Sequence, residues 1–149
     1  MRTAENVRTW VIGHSTFAPS YNIKLKSFMK FLDTKVHGYI DYALASILLF
    51  IPAMFHLQAN TAQSIIFYVF SILTFFLSLQ TDYEHGLYKL LPMQLHLLIE
   101  IILGLFLAAS PWIFGFAGMV FIPHLLFGVL VILIGLMTMP QSSRFNRVY

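Results

Sequence analysis

The sequence predicts an all-α membrane protein: a bundle of four transmembrane helices made from two parallel helical hairpins, preceded by an amphipathic helix lying on the membrane surface. Three observations carry this prediction. Charged residues are 10% of the chain against 58% hydrophobic, and mean hydropathy is +0.77. A water-soluble domain carries about a quarter charged residues, so lipid must cover most of this surface. The apolar residues also fall into four long runs, and a shift of 59 residues lays the first half of the chain over the second.

The runs cover residues 37–55, 62–79, 95–114 and 119–139. Each is close to the ~20 residues that cross a ~30 Å hydrocarbon layer as a helix, the second a little short. Helices are required because unpaired backbone groups are not tolerated in lipid, and barrel strands would alternate polar and apolar residues. The first twenty residues hold no apolar core of the length of a signal peptide, so the first span is expected to insert directly and remain. Cysteine is absent, which excludes disulfides, thiolate metal sites and thiol catalysis.

All nine basic residues lie outside the runs: Arg2, Arg8, Lys24, Lys26, Lys30 and Lys35 before the first, Lys89 between the second and third, Arg144 and Arg147 after the fourth. Positive charge stays on the cytoplasmic side, so both termini are expected inside. The loops at 56–60 and 115–118 then face outward. The domain reading is a poorly ordered leader at 1–20, an interfacial helix at 21–35, repeat 1 at 36–80, a cytoplasmic linker at 81–94, repeat 2 at 95–139 and a tail at 140–149. Met29 offers an alternative start, which would leave 1–28 outside the native protein. In the interfacial segment Leu25, Phe28, Met29 and Leu32 share one face, with Lys24, Lys26 and Lys30 around the rest. In the linker, Thr81 and Glu84 stand at capping-box spacing, which predicts a short surface helix ended by Pro92.

The 59-residue shift matches more than leucines. His37 falls on His96, Asp41 on Glu100, Pro52 on Pro111 and Phe55 on Phe114. Two helices per repeat means that the copies insert in the same direction. The segment AASPWIFGF contains Ser110-Pro111-Trp112, and here the chain resembles the bacterial SPW-repeat membrane proteins. The first repeat keeps only the proline, as Ile51-Pro52-Ala53. The stretches 36–42, 81–87 and 123–128 are similar to that family too. The resemblance implies paired transmembrane helices in a bacterial inner membrane, and it implies close to nothing about activity.

The candidate polar, metal or proton cluster is His37, Asp41, His96 and Glu100. A spacing of four puts each pair on one helical face. Facing pairs would bring two imidazoles and two carboxylates together near the inner surface, a set suited to a divalent metal or to proton transfer. The plainer alternative is interhelical glue. In it the acids sit in the first turn or two and accept hydrogen bonds from their own histidines, from Tyr39 or Tyr42, or from a loop. Asp82 and Glu84 read as a cap and a solvated loop, His124 as a helix-start residue bonded to an adjacent loop, and His56 and His85 as loop residues without a partner pattern.

A nucleophilic Ser110 is rejected, because no base with an accompanying acid lies at its end of the helix. Ser110, Pro111, Trp112 and Pro52 are instead expected to shape hairpin corners. Proline frees a carbonyl, serine re-satisfies it, and tryptophan anchors at the headgroups. The expected function is a small non-enzymatic accessory or self-associating membrane protein, alone as a homo-oligomer or in a larger complex, with lipid as its surroundings and no nucleic-acid partner. No cofactor is required by this reading. The rival is a proton-, ion- or metal-handling protein using the His/acid cluster, with a divalent metal as cofactor.

Overall fold

The computed structural model describes residues 32–139. Its helices are α1 (Thr34–Met54), α2 (Ala62–Gln80), α3 (Met93–Ile113) and α4 (Ile122–Met137); the two-residue strands β1 (Thr81–Asp82) and β2 (Leu91–Pro92) lie between α2 and α3. α1, α2 and α3 are each long and apolar enough to cross a membrane. The protein is a multi-pass helical membrane protein.

The fourth helix is shorter than its apolar run. It has 16 residues, with Pro123 in its first turn. Proline is tolerated there because its missing N–H has no helical partner anyway, and it biases the preceding residues away from helix. At the other end Thr138 leaves the helix in an extended conformation. The leader and tail, and residues 21–31 of the expected interfacial helix, lie outside the described residues. The last residues of that segment are corrected: Thr34 and Lys35 belong to α1.

α1 and α2 pack along their length, α3 and α4 do the same, and α2 touches α3. The buried face of α1 is Thr34, His37, Gly38, Asp41, Leu44, Ala45, Leu48, Ile51 and Pro52, the spacing of one helical stripe. α3 buries Met93, His96, Leu97, Glu100, Gly104, Leu107, Ser110 and Pro111 at the corresponding positions. One apolar core joins all four helices: Leu44, Leu48 and Ile51 meet Ile66, Phe67 and Phe70, with Leu107, Phe116 and Val131.

The two hairpin corners have the same backbone design. Phe55 and Phe114 cap α1 and α3 at φ −98°, with ψ 9° and 6°. The next residues, His56 and Gly115, have φ of 50° and 72°. Leu57 N–H donates to Pro52 O and Phe116 N–H to Pro111 O, both at 2.9 Å. This is how orphan carbonyls at a helix C-terminus are met by a left-handed residue and the chain after it.

At the opposite end the chain is stitched by short parallel pairings, Thr81 with Leu91 and Asp82 with Pro92, and an isolated bridge between Leu32 and Thr138. The expected surface helix in the linker is not formed. The N–H groups of Leu87 and Tyr88 donate to Leu79 O, and that of Leu90 to Gln80 O. The linker folds back to satisfy the last carbonyls of α2. Gly86 permits this, since a Cβ there would collide with the Thr81 carbonyl.

Candidate functional site

The structure brings His37, Asp41, His96 and Glu100 together, where α1 and α3 meet near the stitched end. Their exposures are 0, 0, 1 and 4%. The helices begin earlier than their apolar runs, so the acids lie further from the helix starts than expected. Neither lies in a first helical turn. Asp41 is seven residues past Thr34, ~10 Å along the axis at ~1.5 Å per residue. A helix-dipole explanation is therefore corrected, because that effect fades within the first turn.

The ring nitrogens have definite roles. The Thr138 hydroxyl donates its one hydrogen to Ile134 O at 2.7 Å, so it accepts from His37 Nδ1–H at 2.9 Å. Thr81 likewise donates to Leu77 O at 2.7 Å and accepts from His96 Nδ1–H at 2.7 Å. Both histidines thus carry a proton on Nδ1, and both Nε2 atoms point at one centre. They are 3.1 Å apart. His37 Nε2 is 3.3 Å from Asp41 Oδ1 and 3.6 Å from Glu100 Oε2, and His96 Nε2 is 3.2 Å from Asp41 Oδ2.

The carboxylates differ in their support. Ser78 donates to Asp41 Oδ2. Among the described residues neither oxygen of Glu100 has a hydrogen-bond donor. Gly135 lies against it, and a Cβ there would stand 3.2 Å from Glu100 Oε2. One hairpin therefore pairs a short acid with serine, and the other a longer acid with glycine.

A lid covers the cluster. Tyr83 is fully buried, its ring 6.4 Å from that of His96. It fills the space left by Gly38, where a Cβ would run into it. Burial raises its phenol above the ordinary value and keeps it neutral. Thr34 donates to Glu84 at 2.9 Å, tying the lid to the start of α1. Asp82 is buried in β1 and is not a solvated loop residue. Thr81 turns away from the capping box to serve His96.

A family model described as the SPW repeat domain matches residues 35–138. The chain belongs to the SPW repeat family. No curated protein and no solved structure matches it. The SPW match contains the whole cluster and both hairpins.

The SPW motif lies at the far end from the cluster, in the last turns of α3. Pro111 has no N–H for Leu107 O, its partner one helical turn earlier, and Ser110 Oγ donates to that carbonyl at 2.7 Å. Trp112 is exposed and rests on Phe121. In the first SPW-like segment Pro52 lies inside α1, preceded by Ile51, which packs into the core. His124 is buried at the start of α4 between the rings of Phe67 and Phe116, and Nε2–H donates to Gln63 O, which belongs to α2 and not to an adjacent loop.

Tyr39 and Tyr42 do not serve the carboxylates by hydrogen bonding. Tyr42 donates to His85 O, and the Tyr39 ring packs on the His85 ring at 4.2 Å. His85 therefore has partners that its sequence context did not signal. His56 stays exposed at a corner. The residues that sequence reasoning missed are Ser78, Thr81 and Thr138 in their hydroxyl roles. Their only signal was position, about one helix length from the corners and level with the histidines.

Proposed function

We propose that this chain is a non-enzymatic protein of the bacterial inner membrane, with both termini cytoplasmic, in which a buried cation site joins two parallel copies of a helical hairpin. The orientation rests on the basic residues, and the duplication on the 59-residue match. One observation carries the cation: two imidazole Nε2 atoms and two carboxyl groups converge, all four side chains being buried. Such a set repels itself unless positive charge lies among it. Stability is the readout. Removing one side of a buried charge set costs ~3–5 kcal/mol, whereas replacing the whole set with apolar residues of similar size is often neutral. His96→Leu is expected to destabilise the protein in SDS unfolding. His37→Leu, Asp41→Leu, His96→Leu and Glu100→Met combined should recover most of the loss. A His96→Leu variant as stable as the wild type would overturn the reading.

A second reading is association with itself or with a larger membrane complex. On α2, Ile65, Tyr68, Val69, Ile72 and Phe76 form one exposed apolar stripe facing away from the core. Native mass spectrometry from lipid nanodiscs is expected to give multiples of the 17.1 kDa chain. A monomer at every protein-to-lipid ratio would remove self-association.

A further inference from the structure

We infer that the cluster is a closed, four-coordinate site for a divalent transition metal of the zinc class, with His37 Nε2, His96 Nε2 and one oxygen each of Asp41 and Glu100 as ligands. The inference rests on the cation-site reading and names its occupant.

One ligand atom from each residue falls within 4.8 Å of the others. His37 Nε2 is 3.1 Å from His96 Nε2 and 3.6 Å from Glu100 Oε2, and Asp41 turns Oδ1 to His37 at 3.3 Å and Oδ2 to His96 at 3.2 Å. Zinc bonds to nitrogen and oxygen are ~2.0–2.2 Å, which sets the edge of a regular tetrahedron at ~3.3–3.6 Å. The close pairs already stand near that edge, and the widest pair must draw in to complete the tetrahedron. Charge matches as well: two neutral imidazoles, two carboxylates and one dication sum to zero. A neutral assembly is the form that a low-dielectric interior tolerates best.

The supporting shell is that of a metal site. Histidine ligands donate their other N–H to a fixed acceptor, which sets the tautomer and aims the lone pair. Here Thr138 and Thr81 do so, each locked to a carbonyl of its own helix. Ser78 orients Asp41. Glu100 is the independent pointer: a carboxylate more than nine-tenths buried, aimed into the cluster, with no hydrogen-bond donor on either oxygen among the described residues. Two nitrogens and two oxygens without a thiolate disfavour copper(I). Four protein ligands beneath the Tyr83 lid leave no open position, so the site is structural.

The test uses the full chain in lipid nanodiscs, stripped by a chelator and reloaded with Zn²⁺ or Co²⁺ alone. The expected result is one zinc per chain by elemental analysis, and intense visible bands of tetrahedral Co²⁺. His96→Asn and Glu100→Gln should lower affinity at least 100-fold, while His56→Ala, at the exposed corner, should leave it unchanged. Circular dichroism of each variant establishes that it is folded. Failure of the wild type to take up zinc stoichiometrically, or a Co²⁺ spectrum of octahedral form, would overturn the metal. If the wild type binds no metal but His96→Leu still destabilises it, the cation joint stands and only its occupant is wrong. If neither effect is seen, both readings fail.

Discussion

The Nε2 atoms of His37 and His96 face each other at 3.1 Å, and each ring is held from behind by a threonine at the end of a different helix. His37 of the first hairpin uses Thr138 from the end of the second, and His96 of the second uses Thr81 from the end of the first. The two hairpins thus exchange hydroxyls. This crossed pairing ties the chain ends and the linker to the cluster.

The threonines are therefore expected to matter through their oxygens. Thr138→Val and Thr81→Val keep shape but strand a buried imidazole N–H, at a cost of ~1–3 kcal/mol each. Thr138→Ser should cost less than half of that. SDS unfolding checks the order Ser above Val. In metal-binding assays the valine variants should lose ~10–100-fold in zinc affinity, the usual effect of removing such a partner.

The unequal acids predict a compensating swap. Asp41 is served by Ser78, whereas Glu100 lies against Gly135. Glu100→Asp shortens the acid and opens a gap, and Gly135→Ser alone crowds Glu100. Together they should rebuild the Asp41–Ser78 arrangement. A double-mutant cycle is expected to show a favourable coupling of ~1 kcal/mol or more, within the range for contacting residues. Simple additivity would count against the equivalence of the two sides.

Close packing of α3 on α4 sets another expectation. A Cβ on Gly128 would lie 2.5 Å from Ala108 N and 2.6 Å from Gly104 O, and backbone cannot yield as a flexible side chain can. Gly128→Ala should destabilise by ~1–3 kcal/mol despite alanine's ~1 kcal/mol advantage in helix propensity. Gly118→Ala meets nothing within 4 Å and serves as the neutral control. Thermal unfolding of both, side by side, is the measurement.

The SPW corner is testable by a cycle of its own. Ser110→Ala leaves Leu107 O without its donor and should cost ~1–2 kcal/mol. In a Pro111→Ala background residue 111 regains an N–H for that carbonyl, so the same substitution should cost much less. Equal cost in both backgrounds would show that Ser110 acts by some other contact.

Much of this architecture was legible in the chain itself. Lipid imposes a length and a polarity on every span, so four apolar runs announced four helices. The 59-residue match of His37 to His96 and Asp41 to Glu100 singled out four polar residues at matching positions along α1 and α3, and the structure brings them together. Ser110 beside Pro111 was readable as a local repair, since a proline's orphan carbonyl is always one turn behind it.

What the tertiary structure decided is which faces turn toward each other and which helix ends meet. Periodicity gives a helix a buried stripe but not a partner. Thr81 and Thr138 looked like ordinary helix-end residues, and Thr81 with Glu84 even resembled a cap. Only packing shows that each hydroxyl sits behind a histidine of the other hairpin. The early starts of α1 and α3, the short α4 and the linker that folds back onto α2 have the same origin. They depend on backbone groups finding partners far along the chain, and no local pattern encodes that. So the sequence by itself determined the apolar helices and the matched places of His37 and His96 along them, and the fold decided that their Nε2 atoms converge.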